Sequence, residues 1–104
     1  NMEACALPIN LDTQRIAEFC RRWIINEFAL FGSVLREDFR PDSDIDVLIS
    51  FEPDIPWSLF EWVDMIEELR VILGREVDLV EKSGLRNPFR RREILSNRQV
   101  IYAM

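Results

Sequence analysis

The 104-residue chain contains no histidine. That absence excludes Ser-His-Asp and Cys-His nucleophilic catalysis, histidine-ligated metals and imidazole proton shuttles from this chain. Its two cysteines, Cys5 and Cys20, cannot build a four-cysteine zinc site or a CxxC redox motif. One possible pair is not a disulfide scaffold, so a reducing, cytoplasmic setting is expected. Lysine is nearly missing: of 13 basic residues only Lys82 is not arginine, and 19 acids leave a net charge of −6. An acidic domain is a poor general binder of nucleic acid, because phosphate backbones need local positive charge. No apolar run approaches the ~18 residues of a membrane span, and no charged-then-apolar leader opens the chain, so no membrane association is expected. With 3 glycines there is no glycine-rich linker, and no internal repeat or low-complexity tract appears. Asn1 ahead of Met2 is read as a residue left by tag removal, within a lead-in over residues 1–9 that carries no fold information.

What is present suits one small domain over residues 1–104. Apolar residues make up 48% and charged residues 31%, and 3 Trp, 7 Phe and 1 Tyr supply the bulk for a single core. From about residue 10, Ile16, Phe19, Cys20, Trp23 and Ile24 form one stripe of an amphipathic helix, with Asn10 or Asp12 as N-cap. Glu27 to Phe31 reads as a buried strand ending at Gly32, and Ser33 to Arg36 as one helical turn. A polar loop over Glu37 to Ser43 leads to a strand from Asp44 to Phe51, then a two-proline loop from Glu52 to Pro56. Trp57 to Leu73 carries Leu59, Val63, Ile66, Leu69 and Leu73 at helical spacing and stops at Gly74. Glu76 to Glu81 reads as a strand, Asn87 to Ser96 as a helix with Pro88 in its first turn, and Gln99 to Tyr102 as a last strand. The order α-β-α-β-α-β-α-β predicts a small α/β (α+β) fold, a mixed sheet of about four strands backed by helices. The short link between the first two strands permits an antiparallel pair.

Three features carry chemistry. In Asp44-Ile45-Asp46-Val47-Leu48-Ile49 the two carboxylates lie two apart in a strand and face one side, roughly 6–7 Å apart, while Ile45, Val47 and Ile49 face a core. Their repulsion is about 2–3 kcal/mol at an effective dielectric near 20, which a bound cation would relieve. Carboxylate oxygens are the hard ligands that Mg²⁺ or Mn²⁺ takes together with water and phosphate. A solvated strand end is the alternative for this pair taken alone. In Leu30-Phe31-Gly32-Ser33-Val34-Leu35-Arg36, a glycine and a serine at a strand end let the backbone approach a phosphate, and Arg36 can aim a guanidinium at the same group. The alternative is an ordinary turn with Ser33 as a cap. Asp78, between Val77 and Leu79, offers a third strand carboxylate, with an exposed strand acid as its bland counterpart.

Gly32-Ser33, ten intervening residues and Asp44-Ile45-Asp46 together match the signature of the DNA polymerase β-like nucleotidyltransferase superfamily. The small size, the place of Arg36 and the N-terminal helix make the chain resemble the minimal nucleotidyltransferases, and among them the MntA-type antitoxins paired with HEPN toxins. The likeness runs from about Leu11 to Tyr102. It implies that Gly32 and Ser33, with Arg36 and Ser43, hold nucleotide phosphates. It also implies that Asp44 and Asp46 coordinate two divalent ions, Mg²⁺ or Mn²⁺, and that Asp78 completes the catalytic carboxylates. The larger relatives' helical substrate-selecting domain is missing from this chain, which implies a partner that supplies the acceptor.

The implied reaction is transfer of AMP from ATP to a hydroxyl, with Asp78 as candidate general base beside the first metal. The implied acceptor is a tyrosine of a HEPN-type toxin. Two other readings stay open: an antitoxin that neutralises its toxin by stoichiometric binding, and nucleotidylation of a small molecule such as an aminoglycoside, for which the chain shows no evident pocket. For a binding mode, Trp57, Phe60 and Trp62 could form a contact patch, although core packing is expected for at least two of them. The basic run Arg86, Arg90, Arg91 and Arg92 is expected to be the solvated face of a helix, with Phe89 and Ile94 turned inward, and not a nucleic-acid site.

Overall fold

A computed structural model of the chain describes residues 7–104, so Cys5 and Asn1 lie outside the described residues. Helix α1 spans Thr13–Trp23, and its N-cap is Asp12, whose carboxylate accepts the Arg15 amide at 3.1 Å. Strand β1 (Ile25–Phe31) runs into a tight 3-10 turn over Gly32–Leu35. Strand β2 (Ile45–Phe51) leads to helix α2 (Leu59–Leu73), opened by a capping box in which Ser58 and Glu61 satisfy each other's amides. Gly74 closes α2 in the left-handed region, at φ 71°. Strand β3 (Val77–Glu81), a short 3-10 turn (Lys82–Gly84), helix α3 (Pro88–Asn97) and strand β4 (Gln99–Ala103) complete the order. Asn87 caps α3 by accepting the Phe89 and Arg90 amides at 2.9 and 3.0 Å. The expected alternation of four strands with helices is therefore present.

The sheet order is β3-β2-β1-β4. β1 pairs antiparallel with both β2 and β4, whereas β2 and β3 are parallel and joined through α2. Strand parity divides the sheet into two faces. Phe28, Leu30, Ile45, Val47, Ile49 and Leu79 belong to the main core with Ile16, Phe19 and Cys20 of α1 and Met65, Leu69 and Leu73 of α2. Ala29, Phe31 and Leu48 belong to a second, smaller cluster with Leu85 and Ile94 under α3. Asp46 alternates with Ile45 and Val47 and so shares the α3 face; Asp78, beside Leu79, does the same. The parity rule thus separates the carboxylates from the core, as the sequence reading expects.

Tertiary context corrects several positions. Ile24 is not on the buried stripe of α1: it caps the helix at φ 59° and is 42% exposed. In α2 the inward stripe is Trp62, Met65, Ile66, Leu69, Ile72 and Leu73, while Leu59 and Val63 face out. The reason is where α2 begins. Trp57 precedes the helix and donates its indole N–H to the Trp23 carbonyl at 2.8 Å, which fixes the rotation of the first turn and exposes Leu59 and Phe60. Trp57 and Trp62 pack against the core and Phe60 does not, so two of the three aromatics take the packing role. Phe89 also corrects the reading: it is exposed at the first turn of α3, and Ile94 alone of that pair is buried, because only the C-terminal half of α3 reaches the sheet. Arg86, Arg90 and Arg92 are exposed, while Arg91 donates to the Lys82 carbonyl at 2.9 Å. Among the described residues no helix is long and apolar enough to cross a membrane.

Candidate active site

Gly32 ends β1 with φ +75°, a conformation that side chains rarely adopt. A Cβ built there would stand 2.1 Å from Oδ2 of Asp46, so the glycine is what lets the turn close onto that carboxylate. Two strands fix Asp46 from either side. Phe31 is its register partner on β1 and Asp78 its partner on β3. Paired strands lie ~4.8 Å apart and paired residues share a face, so Phe31, Asp46 and Asp78 form one row across the sheet. Asp44 precedes β2 at the end of the 37–43 loop, two residues before Asp46, and its charge acts on the Asp46 carboxyl.

The electrostatics follow from that row. Burial pushes the Asp46 carboxyl above its usual range, and the Asp78 and Asp44 charges add to the push. A hydrogen bond from the Ser33 amide and the charge of Arg36 oppose it without cancelling it. The structure therefore brings Asp44, Asp46, Asp78, Ser33 and Arg36 into one electrostatic neighbourhood. Asp46 is half-buried, and Asp44, Asp78 and Arg36 are exposed, as a site open to a substrate requires. Arg36 donates from Nε to Asp38 at 3.1 Å, both side chains being mostly solvated.

Ser43 stands at the end of the loop that leads to Asp44. Its hydroxyl accepts the Arg40 amide at 2.9 Å and its own amide donates to the Arg40 carbonyl at 3.0 Å, which makes it the closing residue of the loop before Asp44. Arg75 holds the same loop, and no sequence pattern announces it. Its Nη1 donates to the carbonyls of Arg40 and Ser43 at 3.0 and 3.1 Å, and its guanidinium lies 4.5 Å from the centre of the Phe39 ring. Arg75 follows the Gly74 stop of α2 and precedes the strand that carries Asp78, so it ties the loop leading into β2 to the segment leading into β3.

Among the described residues no group of three or more His, Cys, Asp or Glu is gathered tightly enough to hold a metal ion unaided. The donor set nevertheless fits Mg²⁺ or Mn²⁺. Those ions take one or two carboxylates and complete their octahedra with water and substrate phosphate. A half-buried carboxylate with two like charges nearby gains from a cation at that point.

A model of the nucleotidyltransferase domain family matches residues 14–101. The chain is a nucleotidyltransferase. It is 38% identical over 85 residues to a protein adenylyltransferase MntA of Thermococcus cleftensis, covering 82% of this chain and 81% of the relative. Solved structures share its fold. A toxin-antitoxin crystal structure with AMP-PNP superposes with a TM-score of 0.71 at 20% identity, covering 90% of this chain and 75% of the other. The tri-AMPylated HEPN toxin of Shewanella oneidensis in complex with its MNT antitoxin gives 0.63 at 19% identity, covering 88% and 70%. At these identities the likeness to the two complexes is one of fold. The nucleotidyltransferase match includes the Gly32 turn and all three acidic positions.

Proposed function

We propose that this nucleotidyltransferase transfers AMP from ATP to a tyrosine hydroxyl of a HEPN-type toxin and silences it. The observation that carries the reading is Gly32 pressed against Asp46, with Asp78 beside it in register. An adenylyltransferase relative that shares four-fifths of its length with this chain, and a neighbouring fold in which an MNT antitoxin is bound to an AMPylated HEPN toxin, support the donor and the acceptor. The chain acts as one minimal catalytic domain in the cytoplasm, and its partner supplies the acceptor.

The acceptor oxygen attacks the α-phosphorus of ATP. The new O–P bond forms as the bond to the bridging oxygen breaks, and pyrophosphate leaves. Asp78, exposed at the end of the acidic row, takes the acceptor's proton. Asp44 and Asp46, with Asp78, would hold two divalent ions, Mg²⁺ or Mn²⁺, which when bound would neutralise charge on the triphosphate and acidify the acceptor hydroxyl. The Ser33 hydroxyl and the Arg36 guanidinium hold the phosphates in line with the acceptor. Ser43 and Arg75 position Asp44 through the loop.

Incubation with labelled ATP, Mg²⁺ and a HEPN-type toxin tests the reading. Label on the partner that vanishes in Asp44→Asn/Asp46→Asn is the expected result; no label with either protein sinks it. Neutralisation by binding alone has one observation in its favour, an exposed apolar face on α2 at Leu59, Phe60, Val63 and Val71. Retained neutralisation by the double Asp variant at equal stoichiometry would favour that second reading.

A further inference from the structure

We propose that the cleft between the Gly32–Leu35 turn and the C-terminal end of α3 is the nucleobase subsite, and that Asn97 selects adenine there by accepting a hydrogen bond from the 6-amino group. The proposal rests on the nucleotidyl-transfer reading and adds a specificity-determining residue to it. The cleft has a volume of about 290 Å³. Gly32 and Arg36 line one part of it, so a nucleotide with its phosphates against Ser33 and Arg36 has the cleft within reach. The rest of the lining is unsuited to phosphate. Phe31, Leu35 and Ile94 provide apolar walls, and Glu93 adds a carboxylate that repels an anion. A small apolar cleft with a few polar groups at its edge suits a flat heteroaromatic ring.

The polar edge has a defined sense. Asn97 Nδ2 donates to the Glu93 carbonyl at 2.8 Å and to Glu93 Oε2 at 3.2 Å. Both bonds engage the nitrogen, hold the amide in one orientation and leave its oxygen as an acceptor. Adenine presents an amino donor at its 6-position, where guanine presents an oxygen acceptor. The Asn97 oxygen pairs with the first and opposes the second. No base-reading motif announces this in the sequence, because the reader stands in the last turn of a helix and its partner wall in a 3-10 turn more than fifty residues earlier.

Calorimetric titrations with Mg²⁺ and three probes test the assignment: ATP, purine riboside triphosphate, which lacks the 6-amino group, and inorganic tripolyphosphate. The wild-type protein is expected to bind ATP about two- to tenfold more tightly than the purine analogue, the factor that one neutral hydrogen bond supplies. Asn97→Ala, a change at an exposed position, is expected to bind the two nucleotides equally, with tripolyphosphate affinity unchanged. Equal wild-type affinities for the two nucleotides, or a preference that survives in Asn97→Ala, overturns the subsite while bound tripolyphosphate leaves the transferase reading standing. A wild-type protein that binds neither ATP nor tripolyphosphate overturns both.

Discussion

Gly32 and Asp46 are two halves of one contact. A methyl group at residue 32 would displace the carboxylate tip, and the positive φ would strain any side chain at that position. Gly32→Ala is therefore expected to cost about 1–3 kcal/mol in stability and to lower AMP transfer about a hundredfold or more, because the displaced group is the one around which the site is built. Urea titration and single-turnover transfer read the two effects separately. Asp46 carries a second consequence. Burial and two neighbouring carboxylates hold its pKa above the unfolded value. The group therefore favours folding below the ordinary carboxylate range, and that contribution is lost as pH rises through the raised value, leaving a penalty at neutral pH. Asp46→Asn should melt higher than the wild type at pH 7 without divalent ions, and the difference should shrink toward pH 4. It should also be inactive. An equal or lower melting temperature at pH 7 would contradict the assigned strain.

Glu27 shows how elements are tied together away from the site. It lies on β1 and bonds Lys82 of the second 3-10 turn at 2.8 Å and Arg98 at the end of α3 at 2.6 Å, so one carboxylate pins both ends of the α3 segment to the sheet. Burial alone would push this carboxyl up, but the two hydrogen-bonded cations outweigh it and hold it below its usual range. Such a group stabilises the fold above the ordinary carboxylate range and loses that effect as pH falls through its lowered value. Glu27→Gln is expected to cost about 2 kcal/mol at pH 7, because two partly buried cations lose their counter-charge, and to flatten the acid limb of a Tm-against-pH curve. The elements themselves were legible wherever one periodic signal acted alone. The β2 alternation, the Asn87-Pro88 start of α3 and the Gly74 stop of α2 all stand where sequence spacing puts them. The first turn of α2 was not legible, since Leu59 and Val63 keep helical spacing and their outward rotation is set by the hydrogen bond from Trp57 to Trp23. Phe89 was misread for a related reason: the packing of α3 is confined to one end, which composition does not encode.

At the scale of the molecule, the acidic row was legible and its surroundings were not. Parity along β2 and β3 places Asp46 and Asp78 on the face away from the main core before any pairing is known. Their adjacency depends on the parallel register of two strands 32 positions apart, and the placement of Arg75, Ser43 and Asn97 depends on contacts across the fold. The main core also makes a prediction of its own. Cys20 is fully buried in it, and its thiol is pushed up to about 12 by that burial, with Arg21 opposing only weakly. In a Cys5→Ser background, alkylation at pH 7.5 should be negligible in the folded state and should rise along the same denaturant curve as the loss of secondary structure. Modification ahead of that curve would mean that α1 lifts from the sheet on its own.

The arrangement of the sheet has one more consequence. Asp46 and Asp78 meet only where β3, which follows α2 in the chain, lies alongside β2, and Asn97 lies further along the chain still, in α3 ahead of the strand at the opposite edge. A nascent or truncated copy ending before β3 would possess the serine turn and the paired aspartates yet have no completed centre. The acidic row is thus complete only in the topology that also buries the chain's apolar half.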